Sequence, residues 1–174
     1  MQTRGYNGFS YADVAAEIGI SKASLHHHFR TKAALGAAII ARYARDTAQA
    51  LAEIEAEEPT ATERLARFSQ LYADVLRQDR LCLGAMLAAE FGTLPSPMQK
   101  TVRQFFKSLH AWLENVVAHG RGAGILDPQG TDTEAARVLL SGLEGAMLVA
   151  RPLKDLASFY VTSRSLLANL QRRR

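Results

Sequence analysis

His26, His27 and His28 stand in a row and make up three of the chain's five histidines. Imidazole can ligate a metal, act as a general base near neutral pH, or donate a hydrogen bond to phosphate. Spacing decides among these. Neighbours on a helix point about 100° apart, whereas two metal ligands on one helix need i, i+3 or i, i+4 spacing. No His, Cys, Asp or Glu lies at those distances from any of the three, so no metal site is expected. No nucleophile motif accompanies them, which leaves general-base catalysis unsupported. The chain's only cysteine is Cys82, in "RLCLGAMLAAEFGTLP". Alone it forms neither an internal disulfide nor a multi-thiolate zinc site. With Arg80 near in sequence it reads as a thiol sensor, or else as a small buried hydrophobe.

The charge is confined to one end. Residues 1–45 carry six basic side chains (Arg4, Lys22, Arg30, Lys32, Arg42, Arg45) against Asp13 and Glu17, while residues 46–174 carry 15 basic and 15 acidic ones. A basic module on a neutral body is the electrostatic footprint of a nucleic-acid reader, and also that of a merely solvated basic surface. No run approaches the roughly 18 apolar residues of a membrane span, and "MQTRGYNGF" lacks the apolar stretch of a secretory signal. The expected compartment is the cytoplasm, with no membrane partner and no cofactor.

The elements that position these residues are all helical: apolar side chains recur at three- and four-residue spacing throughout. Three helices come first. Ser10 with Asp13 forms a capping box for the first, whose apolar stripe is Val14, Ala15 and Ile18. Gly19 ends it, and Ser21 caps a second helix buried through Leu25 and Phe29. Thr31 caps a third, which carries Leu35, Ile39, Ile40 and Tyr43 toward Ala56. After "EAEEPT", longer helices are predicted at about 61–79, 81–92, 96–120, 132–150 and 154–171, punctuated by Pro95, Pro97 and Pro152, with Thr131 and Glu134 as a second capping box. The closing Arg172–Arg174 reads as a frayed basic end, or as a further nucleic-acid contact.

Two short helices joined by "AEIGIS" describe a helix-turn-helix. Taken together, residues 5–40, "GYNGFSYADVAAEIGISKASLHHHFRTKAALGAAII", resemble the DNA-binding domain of the tetracycline-repressor (TetR) family of transcriptional regulators. The matching features are Gly5 and Phe9, then Val14-Ala15, then Gly19-Ile20-Ser21 at the turn, and Leu25, Phe29, Lys32 and Leu35 after it. The resemblance implies an all-α chain, with a helix-turn-helix DNA-binding domain at 1–45 and a ligand-binding and dimerisation domain at 46–174. It also implies a homodimer on a palindromic double-stranded operator, released by a small-molecule effector. The family's long first helix is represented only by "MQTR". Its loss would remove part of the small domain's core, so the alternative is a small-molecule-binding helical protein that does not bind DNA.

On a recognition helix the histidine fan acquires a use. With Leu25 and Phe29 inward, His27 points outward, with Ala23 and Ser24 near it and His26 and His28 on its flanks. Ser24 and His27 are the candidates for base edges, and Ala23 for a thymine methyl. Lys22, His26, His28 and Lys32 suit phosphates, which supply affinity rather than discrimination. His28 reads equally as a flank packed beside Phe29. Ser21 caps the helix and presents N–H groups to a phosphate. Tyr11 is a candidate backbone contact from the preceding helix.

In the body, Phe68, Tyr72, Met86, Leu87, Phe106, Leu109 and Leu113, with Glu90 and His110 as polar groups among them, are the candidate effector pocket; the same spacing also describes ordinary core. The effector class expected is apolar or aromatic. On the last two helices Leu139, Gly142, Leu143, Met147, Phe159 and Leu166 are the candidate dimer surface, the small residues allowing close approach; these glycines equally suit packing within one chain. No catalytic spacing links Cys82, Glu90 and His110, so an enzyme is not expected.

Overall fold

The computed structural model describes residues 1–171; the reading of Arg172–Arg174 lies outside the described residues. The described chain is helical without a named strand, in the order α1 (Tyr11–Ile18), α2 (Lys22–His28), α3 (Lys32–Glu57), α4 (Ala61–Arg77), α5 (Leu83–Ala89), α6 (Ser96–Gly122), α7 (Asp132–Leu153) and α8 (Leu156–Ala168). A 3₁₀ turn at Phe91–Thr93 joins α5 to α6.

Side-chain caps set most of the helix starts. Ser10 Oγ accepts the Asp13 N–H while the Asp13 carboxylate accepts the Ser10 N–H, and the pairs Thr60/Glu63 and Thr131/Glu134 repeat the box on α4 and α7. Such caps satisfy orphan N–H groups and contribute about 1 kcal/mol each. Ser21, Thr31 and Asp155 cap α2, α3 and α8. Gly19 closes α1 at φ 71°, a left-handed conformation that turns the chain sharply into α2. Pro95 and Pro97 open α6, where missing N–H groups are harmless.

Three ends differ from the sequence reading. Pro152 does not limit α7, which continues to Leu153, because a proline in the last turn displaces only one backbone bond; Lys154 then ends it at φ 51°. Helix α8 starts at Leu156 instead of about 154, where Asp155 can cap it. Phe29 lies just past α2 in extended conformation and is half-buried, so Leu25 is the one fully buried side chain within that helix.

The core is in three parts. The main one joins α4, α6, α7 and α8 through Phe68, Leu113, Leu139, Leu143, Met147 and Phe159, all nearly inaccessible. A second ties the segment before α1 to α3, α5 and α6 through Tyr6, Ile40, Leu87, Met98 and Val102. Gly36 allows this close approach: a Cβ there would stand 2.8 Å from Met98 Sδ and 3.0 Å from Tyr6. The third, under the α1–α2 pair, is only Tyr11, Ala15 and Leu25 with Val14 and Phe29 beside them. Ile18, expected in the apolar stripe of α1, is instead 56% exposed, because the small core covers only the Tyr11–Ala15 face.

Candidate nucleic-acid interface and interior cavity

Helix α2 presents its outer side as the sequence predicts. Leu25 is buried, while Ser21, Lys22, Ala23, His26, His27 and His28 are exposed and Ser24 is half-buried. His27 and His28 meet edge to face at 5.5 Å, so both rings are outside the small core. Arg30, which follows α2 and is exposed, is a cation beside this surface that the candidate set omitted; its signal was the basic excess itself.

Several neighbours of that surface have structural partners. Ser21 Oγ accepts the Ser24 N–H at 3.0 Å, which makes it a cap. Tyr11, expected to reach the DNA backbone, is buried; its hydroxyl donates to the Phe29 carbonyl at 2.6 Å and its ring stacks on His26, with centroids 4.4 Å apart. The side chain that holds α1 to α2 is not free for a phosphate. The Lys32 ammonium lies 4.6 Å from the Tyr6 ring centre and 4.5 Å from that of Phe9, a cation–π seat that fixes the charge at the start of α3.

Helix α3 runs without a break through residue 45, where the sequence reading places a domain boundary. Its first turn carries Lys32, and its middle, Tyr43, Asp46, Thr47 and Ala50, forms one wall of a cavity of about 260 Å³. Phe68, Leu71, Tyr72, Asp74 and Val75 of α4 form the opposite wall, with Cys82, Phe105, Leu109 and Met147 completing it. Asp46 is exposed and Asp74 half-buried, and each is ion-paired with an arginine on its own helix, Arg42 and Arg77.

Of the expected pocket residues, Phe68, Tyr72 and Leu109 line this cavity and the other six do not. Leu113 is fully buried in the main core, and Leu87 in the second core. Met86 and Phe106 are half-buried against those cores. Glu90 lies at the end of α5, where its carboxylate accepts the N–H groups of Tyr6 and Asn7; it docks the segment leading into α1. His110 is half-buried, its pKa lowered by burial and then by Arg137, with Glu114 opposing. The α3 wall has no local signal in the sequence: a boundary at residue 45 splits that helix between two domains, with Tyr43 on one side and Asp46, Thr47 and Ala50 on the other.

A buried polar cluster stands behind the cavity. Glu144, in the middle of α7, accepts the Tyr72 hydroxyl hydrogen bond on Oε1 at 3.2 Å, and the Cys82 thiol is close enough to feel its charge. The Tyr43 hydroxyl lies 3.8 Å from Cys82 Sγ, and the Cys82 N–H points at Met147 Sδ at 3.1 Å. Burial raises the Glu144 carboxyl to about 7, with the neighbouring Cys82 thiol and the Tyr72 hydroxyl opposing. Burial, and then the Glu144 charge, push the Cys82 thiol far up. It is therefore held protonated and 4% exposed, without the accessible thiolate that a sensor needs. Glu144 was missed, though an acid within the apolar run "LLSGLEGAMLVA" was a visible anomaly.

The expected dimer residues face inward. Leu139, Leu143, Met147 and Phe159 are at most 1% exposed within this one chain, and a Cβ at Gly142 would meet the Leu166 side chain at 2.6 Å. They fit α7 to α8. The apolar side chains those helices expose are Val138, Leu148, Val149 and Leu153 on α7 and Val161 on α8. Helix α7 is apolar on two sides, so spacing alone does not tell its inward stripe from its outward one.

Among the described residues no group of three or more His, Cys, Asp or Glu could hold a metal, and no helix is long and apolar enough to cross a membrane. Residues 1–39 match the family "Bacterial regulatory proteins, tetR family", and residues 61–166 match "Tetracyclin repressor-like, C-terminal domain". The chain belongs to the TetR family of transcriptional regulators. A TetR-family regulator from Agrobacterium tumefaciens is 33% identical and superposes with a TM-score of 0.94, over 97% of this chain and 90% of that one. One from Legionella pneumophila is 28% identical, with a TM-score of 0.89 over 98% of this chain and 90% of that one. The HTH-type transcriptional repressor NemR of Escherichia coli is 27% identical over 85% of this chain and 76% of its own length. The TetR match over residues 1–39 includes all of α1 and α2, which disfavours the reading in which the DNA module is lost.

Proposed function

We propose that this TetR-family chain is a homodimeric repressor, acting in the cytoplasm, that reads a palindromic operator with α2 of each protomer and leaves it when a small molecule enters the cavity. The observation that carries this is the single helix α3, which has Lys32 beside the reader at one end and Tyr43 to Ala50 in the cavity wall further along. A ligand that moves the wall tilts the same rigid element that bears the reader. His27 and Ser24 are assigned to base edges, and Lys22, His26, His28, Arg30 and Lys32 to phosphates. The exposed apolar side chains of α7 and α8 are assigned to the dimer contact, since two helices from each protomer make a four-helix interface. The relative NemR, named a transcriptional repressor, supports repression over activation.

The test is fluorescence anisotropy with DNA from upstream of the chain's own coding sequence, against unrelated DNA of equal length. A preference of about a thousandfold or more at physiological salt is expected of a specific reader. Equal binding to both DNAs would overturn the repressor reading.

A further inference from the structure

The cavity has a chemical bias that its apolar walls conceal. Its lining includes two carboxylates, Asp46 and Asp74 near solvent, and no Lys, Arg or His. Behind the inner wall, Glu144 is 9% exposed and one carboxylate oxygen, Oε2, is buried without a hydrogen-bond partner among the described residues. Glu144 itself is not in the lining, but Tyr72, which holds its other carboxylate oxygen, and Cys82 and Met147 beside it all line the cavity. Either protonation state leaves Oε2 unmet: a carboxylate oxygen lacks a donor, and a carboxylic acid hydroxyl lacks an acceptor. Such a group costs free energy in an apolar interior unless something pairs with it. A carboxylic acid is also not needed by the packing around it, since a leucine would fill an apolar helix position without that cost.

We propose that the cavity binds a small aromatic or aliphatic molecule carrying one protonated nitrogen, with the ammonium seated against Glu144 and the apolar body against Phe68, Leu109 and Met147. The inference rests on this cavity being the effector site. An ammonium supplies the donor that Oε2 lacks, and a charged pair in low dielectric is stronger than a neutral contact. Burial holds the carboxyl near 7, so an arriving cation readily displaces its proton and the pair forms ionised. Met147, three residues beyond Glu144 on α7, lines the cavity with an unbranched thioether that can swing to admit the head group. The volume, about 260 Å³, lies just below the usual range for drug-sized ligands, which suits a single-ring amine.

The experiment is isothermal titration calorimetry at pH 7.5 of the full chain with three probes of matched size: 2-phenylethylamine, 2-phenylethanol and phenylacetate. A charge-assisted hydrogen bond predicts that the amine binds at least about tenfold tighter than the alcohol, with the acid weakest. Glu144→Gln, verified as folded by circular dichroism, is expected to bring amine and alcohol within about threefold of each other, since its amide removes the charge and little volume. Ala50→Trp, which fills the α3 wall, should weaken both. Three results would overturn the inference while leaving the cavity as effector site: alcohol binding the unaltered chain as tightly as amine, acid binding tighter than amine, or Glu144→Gln keeping the full amine preference. Amine binding unchanged by Ala50→Trp would place it elsewhere and also overturn the inference. Absence of binding by all three probes would instead overturn the reading of the cavity as an effector site, and this inference with it.

Discussion

The Tyr11 ring lies flat on the His26 ring, 4.4 Å away with their planes 3° apart, and the Tyr11 hydroxyl donates to the Phe29 carbonyl at 2.6 Å. One side chain of α1 therefore fixes both the orientation of a histidine on α2 and the backbone at which α2 ends. In so small a core, Tyr11 replaces many ordinary contacts. Tyr11→Phe keeps the stack and leaves the carbonyl without its donor, a loss of about 1 kcal/mol. Hydrogen exchange should show protection of the Leu25 and Phe29 amides reduced about fivefold, with amides of α6 and α7 unaffected. Protection that stays the same in α2 would mean that the hydroxyl does not hold the helix pair together.

Lys32 is expected to act on DNA as a fixed charge. Its ammonium is already seated between Tyr6 and Phe9, so little ordering is required when a phosphate arrives. Lys32→Ala should weaken binding to operator and unrelated DNA alike, and flatten the slope of log affinity against log salt by about one unit. A change confined to operator DNA would contradict the phosphate role.

The dimer contact is assigned to the exposed side of α7, and two substitutions separate the faces of that helix. Val149 is 62% exposed whereas Leu143 is fully buried. Val149→Glu places a charge in the proposed contact and should yield a folded monomer in sedimentation velocity. Leu143→Ala empties core volume instead, at a cost of about 2–5 kcal/mol, and should lower the melting temperature. A Val149→Glu protein that remains dimeric would remove α7 from the interface.

Cys82 illustrates where sequence and structure part. Its spacing from Arg80 is legible in the chain, but a thiol's reactivity depends on burial and on Glu144, 62 positions later, which no local pattern connects to it. Iodoacetamide should leave the native thiol unmodified over a time that fully alkylates the chain in urea. Rapid native modification would show that the α3–α4 wall opens far more readily than its packing indicates.

What the sequence made legible follows the same division. The helix-turn-helix was readable because its signals are local: Ser10 with Asp13, Gly19, Ser21 and Thr31 cap or end helices within a few residues. The outward side of α2 follows from placing Leu25 and Phe29 inward, of which Leu25 is buried and Phe29 half-buried. The cavity was less accessible, because its walls come from helices far apart in the chain and α3 serves both the reader and the cavity. On α7 the two sides are both apolar, Leu139, Leu143 and Met147 inward and Val138, Val149 and Leu153 outward, so periodicity could find the helix but not which stripe meets the core.

Glu144 gives the fold a measurable dependence on pH. Burial raises its folded-state pKa to about 7 from an ordinary 4.5, so between those values the folded chain binds more protons than the unfolded one. Stability from this group is therefore highest below about pH 4.5 and declines as pH rises to about 7, beyond which the full loss persists, up to about 3 kcal/mol. Its titratable neighbours Tyr43, Tyr72 and Cys82 are all pushed upward by burial and do not titrate in that window. Glu144→Gln removes the ionisation while keeping an acceptor for Tyr72. Its melting temperature relative to the unaltered chain should therefore rise between pH 5 and pH 8, with the variant gaining most at the alkaline end. A difference that is constant with pH would show that the carboxyl is already ionised at pH 5, and that the interior around α7 is wetter than its burial indicates.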